Sequence, residues 1–127
     1  MYNLSEANIN ELSNLVDKIV NFDGKWIDLK KSNLFFAHIN ELANNAMEFL
    51  YKNELIIVFD WMNWDEGCEF SSNTDQNKYD NLNREFILKL LTAVARNDRF
   101  CTGAWGALFE TGEAQLLFKK LLETYRQ

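Results

Sequence analysis

Helical periodicity is the feature of this sequence that most constrains its fold. Apolar residues recur every three or four positions in four segments, at residues 5–21, 33–52, 82–97 and 113–125, which is the spacing of one buried face of an amphipathic helix. Only the run at residues 55–59 is continuously apolar and rich in β-branched side chains, and one strand alone cannot make a sheet. The pattern predicts an all-α or nearly all-α fold with one short extended segment near residues 55–59.

The length and composition of the chain fit one helical domain. The chain has 127 residues, of which 47% are hydrophobic, so it can bury a core without disulfides or a metal ion. It contains no proline and only five glycines, which argues against a fold with many turns. We therefore predict a single domain over residues 1–127, built as a compact bundle of about five helices with helix 82–97 at its centre.

The stretch from residue 90 to residue 112 joins the end of that central helix to a polar cluster, Arg96, Asp98 and Arg99. Thr102 is a candidate N-cap for a short fifth helix that runs to Glu110. Small residues at positions 103, 104, 106 and 107 allow a neighbouring helix to approach closely. The cluster is thus placed at a tight corner between two helices.

Two interpretations of this corner stay open. Arg96 and Arg99 could grip a phosphate or a carboxylate in bidentate fashion, with Asp98 and Glu110 orienting them. Alternatively, the four side chains could form ion pairs that lock the corner to its neighbour. Because removing one partner of a buried ion pair costs about 3–5 kcal/mol, this second interpretation predicts that Arg99→Ala lowers the melting temperature, and it is the one we favour.

Residues 59–80 form the acidic part of the chain, with six acidic residues and one basic residue. Two tryptophans, Trp61 and Trp64, stand beside the carboxylates of Asp65, Glu66 and Glu69. Tryptophan is enriched among interface anchors, and an acidic surface accelerates encounter with basic partners. These five residues are our candidate partner-binding surface. The competing interpretation is that both tryptophans close over the core and the acids only confer solubility.

Residues 71–80 are polar and predict a loop with some mobility. The acids between residues 60 and 69 miss the spacing of a calcium loop. The one histidine, His38, has no second histidine or cysteine at ligand spacing, and Cys68 and Cys101 are expected to be reduced thiols. We predict no metal ion, no cofactor and no catalytic residues, and a protein that is not an enzyme is the interpretation we favour.

The net charge of −6 disfavours direct binding to nucleic acid, because that requires clustered lysine and arginine. No apolar run approaches the roughly 20 residues that a membrane helix needs. The first ten residues are polar, which is untypical of a secretory signal. The expected location is therefore the cytoplasm, without membrane contact.

Two strings in the sequence resemble a family of small bacterial and phage proteins that is catalogued as domain of unknown function number 6508. The resemblance covers roughly the second half of the chain. It implies a compact, mainly helical domain and supplies no activity, substrate or cofactor. The matching residues are Phe59-Asp60-Trp61 with Trp64, and Leu90-Leu91-Thr92-Ala93, Arg96-Asn97-Asp98-Arg99-Phe100-Cys101, Gly103 and Phe109-Glu110-Thr111-Gly112.

Three classes of function follow from these observations. The first is a small acidic module that binds a protein with a basic surface and inhibits or neutralises it, as phage anti-defence and toxin-immunity proteins do, with the acidic surface acting as a nucleic-acid mimic. The second is a small-molecule or nucleotide-binding protein, or an enzyme, that uses the Arg96/Asp98/Arg99 corner. The third is a structural subunit of a larger assembly. We expect the first.

Overall fold

The computed structural model describes residues 2–33, 36–101 and 103–126, apart from the side chains of residues 29–33 and 36–38. This part of the chain forms six α-helices and one β-hairpin, so the prediction of a nearly all-α fold is confirmed. The elements in chain order are α1 (Glu6–Asn21), β1 (Ile27–Asn33), β2 (Phe36–Ile39), α2 (Glu41–Lys52), α3 (Asp65–Ser72), α4 (Arg84–Asn97), α5 (Ala104–Glu110) and α6 (Glu113–Tyr125), with single 3-10 turns at Trp61–Asn63 and Gln76–Tyr79.

Side-chain caps fix where three of the long helices begin. Ser5, Asn40 and Asn83 each accept a hydrogen bond from a backbone N–H in the first turn of α1, α2 and α4, at 3.1, 2.9 and 2.8 Å. Each cap satisfies one of the amide groups that have no partner inside the helix. The start of the central helix is therefore set by Asn83.

The hairpin corrects the prediction of a helix over residues 33–52. Residues 27–33 pair antiparallel with residues 36–39, and Ile27 stands opposite Ile39. The backbone N–H of Asn40 donates to the carbonyl oxygen of Trp26 at 2.7 Å, which holds the base of the hairpin and starts α2 at residue 41. Leu34 and Phe35, expected on the buried side of that helix, lie outside the described residues.

The hairpin is seated on α5 at a glycine. A Cβ atom built on Gly106 would lie 3.0 Å from Cγ1 of Ile27 and 3.3 Å from Cγ1 of Ile39. Such distances are tighter than ordinary van der Waals contact, so the bare backbone of Gly106 is what lets the hairpin lie this close. The close approach expected from the small residues of α5 is thus made by the hairpin.

Helices α4 and α6 lie at the centre of one hydrophobic core to which all six helices contribute. The central placement predicted for residues 82–97 is borne out by the six buried residues of α4. Trp105 of α5 is fully buried, and its indole N–H donates to the carbonyl oxygen of Ala43 in α2 at 2.7 Å. This hydrogen bond satisfies the polar atom of a large aromatic side chain inside the core.

The segment at residues 55–59 is an extended crossing, as predicted. Leu55 and Ile57 are buried, whereas Val58 is exposed. The hydroxyl oxygen of Thr92 in α4, itself fully buried, accepts a hydrogen bond from the backbone N–H of Ile57 at 3.1 Å. A side chain therefore pairs this backbone N–H group, as a neighbouring strand does in a sheet.

The polar loop predicted at residues 71–80 is shorter and more firmly held than expected. Helix α3 continues to Ser72, and Tyr79 is buried. The ammonium group of Lys78 donates to the carbonyl oxygen of Phe70 at 2.9 Å and lies 4.5 Å from the centre of its ring. These contacts anchor the loop to α3, because a cation is favourable at the C-terminus of a helix.

No helix among the described residues is both long enough and apolar enough to cross a membrane.

Candidate functional site

The structure separates the two tryptophans of the acidic segment by environment. Trp61 opens a 3-10 turn, is half-buried, and lies with its ring 6.3 Å from that of Phe100. Trp64 packs deeper, because its ring lies 5.2 Å from those of both Phe59 and Phe86. Trp64 is thus fastened to the core by aromatic contacts, and Trp61 is the more peripheral of the pair.

Three large apolar side chains around Trp61 are open to solvent. Val58 is 93% exposed, Met62 is 71% exposed and Phe100 is 76% exposed. Met62 directly follows Trp61 and Val58 precedes it by three residues, and Phe100 contacts its ring. We call Val58, Trp61, Met62 and Phe100 the Trp61 patch. Clustered exposed apolar groups of this kind mark interaction surfaces, whereas single ones are ordinary.

Sequence reasoning missed three members of the Trp61 patch. Val58 ends an apolar run that reads as buried throughout. Met62 sits between the two tryptophans, and Phe100 follows the polar string at residues 96–99. Only Phe100 gave a signal in the sequence. It directly follows a charged helix end, where a large apolar side chain that does not pack inward is unusual.

The acidic rim, Asp65, Glu66 and Glu69, lies on α3 next to the patch. All three side chains are exposed. Within the described chain, none of these carboxylates lies in an ion pair. Asp65 and Glu66 favour the N-terminus of α3 through the helix dipole, but Glu69 is one turn further on and repels Asp65. The rim is therefore a field of negative charge that the fold does not neutralise.

A groove of about 410 Å³ runs behind Trp61, between α3, α4 and α6. Its α3 wall consists of small residues, Gly67, Cys68, Ser71 and Ser72, and its α4 wall includes Leu90 and Val94. Trp61 and Trp64 also line it. The groove exists because α3 presents small side chains where larger ones would fill the gap. The ring of Trp64 lies over Gly67, where it leaves no room for a side chain.

One carboxylate enters this groove. Of the described residues that line it, only Glu113, the first residue of α6, carries a charge. Burial raises the pKa of the Tyr79 hydroxyl, and the negative charge of Glu113 nearby raises that pKa further. Tyr79 is therefore protonated at neutral pH beside the Glu113 carboxylate.

The predicted ion-pair corner is assembled differently from either interpretation of it. Asp98 is a backbone cap: its Oδ1 accepts hydrogen bonds from the N–H groups of Gly103 and Trp105, at 3.2 and 3.0 Å. It thereby ties the end of α4 to the start of α5. Gly103 takes a φ of 101°, which favours glycine. Thr102, expected to cap α5, lies outside the described residues.

The other three residues of the corner do not share a partner. Glu110 accepts a hydrogen bond from the backbone N–H of Ile27 at 3.1 Å, and the Arg96 guanidinium lies 5.9 Å from the ring of Tyr51. Arg99 is exposed. No ion pair joins any two of Arg96, Asp98, Arg99 and Glu110. The expected network is therefore absent among these four described residues, and they do not converge on one point.

The other candidate reactive residues do not form a cluster among the described residues. Cys68 and Cys101 are both exposed free thiols. Among the described residues, no three histidine, cysteine or carboxylate side chains are grouped so that they could hold a metal ion. The side chain of His38 lies outside the described part of the chain.

The family comparison covers nearly the whole chain. Residues 4–127 match the model of a family of unknown function, DUF6508, so the match extends over the first helix and the hairpin as well as the strings in the second half. No curated protein matches the chain, and no solved structure matches it. The chain belongs to the family of unknown function DUF6508.

Proposed function

We propose that this protein is a small acidic binding module that inhibits or neutralises a partner protein with a basic surface. The observation that carries the proposal is the Trp61 patch beside the acidic rim. A group of solvent-exposed apolar side chains next to carboxylates without ion-pair partners has the composition of an interface: an aromatic and apolar centre with a charged edge.

The exposure of the patch argues for a role outside the fold. Val58, Met62 and Phe100 add little to the core, since most of each side chain faces solvent. Burying one such side chain against a partner contributes about 1.5–3 kcal/mol. Trp61 contacts Phe100 and is half-buried, so part of its ring is still open to a partner.

The charges of the acidic rim support a basic partner. Asp65, Glu66 and Glu69 have no ion pair in the described chain, and the one basic residue of the acidic segment, Lys78, is directed at a carbonyl oxygen of α3 instead. Uncompensated carboxylates speed the encounter with a positively charged protein. They also repel phosphate, so the partner is a protein and not a nucleic acid.

An inhibitory role of the phage anti-defence or toxin-immunity type is the specific form of this proposal. Targets of that kind often act on nucleic acid through basic grooves. A row of carboxylates on α3 could occupy such a groove in place of phosphates, with the Trp61 patch adding apolar contact. Its support is the combination of small size, acidity and an exposed apolar patch.

The alternative functions have less support. A small-molecule site at Arg96, Asp98 and Arg99 needs side chains that converge, whereas Asp98 accepts from backbone amides, Arg96 lies near Tyr51 and Arg99 is exposed. A subunit of a larger assembly remains a second explanation of the Trp61 patch. A self-associating chain would place the acidic rims of neighbouring copies close together, which like charges oppose.

The experiment measures binding of variants to a partner recovered from the native host with the wild-type protein. Trp61→Ala is expected to weaken binding by at least about tenfold, as for an interface anchor. Leu116→Ala is the matched control, because Leu116 is also apolar and 40% exposed but belongs to α6.

A charge-reversal variant tests the acidic rim. Asp65→Lys, Glu66→Lys and Glu69→Lys together are expected to slow association and to reduce its dependence on salt, with the fold intact by circular dichroism. If Leu116→Ala weakens binding and the Trp61 and rim variants do not, the binding face lies elsewhere and the proposal is wrong.

A further inference from the structure

We infer that the groove behind Trp61 receives a lysine or arginine side chain of the partner protein, with Glu113 as its counter-ion. This inference rests on the proposed function, because the occupant belongs to the partner. The proposed function describes the interface by its outer surface only. The inference adds a specific pocket and the chemical group that the pocket receives.

The lining of the groove matches a long basic side chain. Its volume of about 410 Å³ falls in the range of ligand clefts. Leu90, Val94 and Leu117 give it apolar walls, against which the methylene stem of a lysine or arginine packs while its charged end reaches a polar group. The lining also includes the indole rings of Trp61 and Trp64, and the face of an indole attracts positive charge.

Glu113 supplies the charge complementarity. It is the one charged side chain among the described residues of the lining, and a carboxylate in apolar surroundings gains most from a cationic hydrogen-bond donor. Tyr79 lies near this carboxylate, and an ionised carboxylate offers about four acceptor positions, so a single neighbouring hydroxyl cannot occupy them all. The remaining positions are available to a guanidinium or an ammonium group.

Continuity with the Trp61 patch identifies the source of the cation. Trp61 belongs both to the patch and to the lining of the groove, so a protein that covers the patch also lies over one end of the groove. Asp65 and Glu69 on α3 extend the negative field around it. A basic side chain that projects from the partner at this point meets Glu113 and needs no rearrangement of the groove.

Two small probes test the groove without the partner: n-hexylammonium, which carries an alkyl stem and a positive end, and 1-hexanol, its neutral counterpart. The indole N–H signals of Trp61 and Trp64 report binding by nuclear magnetic resonance. We expect hexylammonium to bind with a Kd on the order of millimolar and hexanol about five- to tenfold more weakly, because only the cation pairs with Glu113.

Three variants locate the effect. Glu113→Gln should make the two probes bind equally. Glu123→Gln, which removes the same charge from the exposed side of α6, should leave the difference unchanged. Tyr79→Phe keeps the charge of Glu113 and should also keep the preference for the amine. If it does, the effect of Glu113→Gln comes from loss of the counter-ion and not from loosening of α6.

The outcomes that overturn the inference are distinct from failure of the proposed function. Equal binding of the two probes to the wild-type protein rules out the counter-ion role, even if a partner binds at the Trp61 patch. Micromolar binding of hexylammonium would identify the groove as a site for a free amine instead of a partner side chain. With the partner in hand, Glu113→Gln should weaken its binding about tenfold, and unchanged binding would refute the inference.

Discussion

Replacing Asp98 by alanine should destabilise the protein, although its neighbour Arg99 can be replaced with little effect. Asp98 accepts two backbone hydrogen bonds, from Gly103 and Trp105, and removing it leaves both donors at the start of α5 without this partner. A hydrogen bond to a charged group contributes about 1.5–3 kcal/mol, and loss of a helix cap costs about 0.5–2 kcal/mol. Because Asp98 is half-exposed and water replaces part of the contact, we expect a loss of about 2 kcal/mol.

Thermal and urea denaturation measure this loss directly. For a chain of this size, about 2 kcal/mol corresponds to a fall in Tm of roughly 6–12 °C. Asp98→Asn keeps an acceptor oxygen at the same place, so it should recover at least half of the lost stability. Arg99→Ala should change the free energy of unfolding by less than about 0.5 kcal/mol, as for an exposed residue without a structural contact.

The comparison between these variants decides how the corner is held. If Arg99→Ala lowers Tm as much as Asp98→Ala does, an ion pair holds the corner and the capping role assigned to Asp98 is wrong. If Asp98→Asn is as damaging as Asp98→Ala, the negative charge matters more than the acceptor geometry.

Three further predictions follow from contacts elsewhere in the fold. Gly106→Leu should lower the free energy of unfolding by about 1–3 kcal/mol, because the new side chain pushes the hairpin off α5. Ala107→Leu, at an exposed position of the same helix, should leave it unchanged, and equal losses for the two variants would contradict this. Thr92→Val should cost about 1–2 kcal/mol and speed amide hydrogen exchange at Ile57, and unchanged exchange there would refute the buried hydrogen bond. The raised pKa of Tyr79 means that the unfolded chain loses this proton at lower pH than the folded one. The contribution of this titration to the free energy of unfolding should therefore be constant below about pH 10 and fall above it, and Tyr79→Phe should make the fall in stability at alkaline pH shallower.

The long helices could be predicted from sequence because their information is local. Helix α1 was predicted over residues 5–21 and spans Glu6–Asn21, since its apolar face repeats with helical period. The same is true of α4 and α6. In each of these helices, the side chains of the helix itself show which face is buried.

The hairpin could not be predicted because its support is not local. Apolar residues between positions 34 and 50 fit a helix as well as they fit a strand followed by a helix. The deciding contacts join Ile27 and Ile39 to Gly106 in α5, more than sixty positions along the chain. Sequence reasoning detected that Gly106 permits close approach but assigned the approach to a helix.

The sequence could name a candidate surface but not the exposure of its residues. Asp65, Glu66 and Glu69 are exposed and Trp61 is half-buried, whereas Trp64 is engaged mainly by Phe59 and Phe86. Binding of a partner at this surface stays a prediction. The exposure of Val58 could not be foreseen, since it depends on how the crossing segment turns over α4. The role of Asp98 was missed because a carboxylate near arginines suggests an ion pair, whereas its true partners are backbone amides.

Site-specific photocrosslinking in the native host is the most direct test of the account. A benzophenone amino acid placed at Met62, in the Trp61 patch, is compared with one at Leu116 on α6, since both side chains are apolar and exposed. The account predicts that Met62 captures one basic protein, and that capture is lost when Asp65, Glu66 and Glu69 are changed to lysine. Capture at Leu116 and not at Met62, or capture at Met62 that survives the charge reversal, would contradict it.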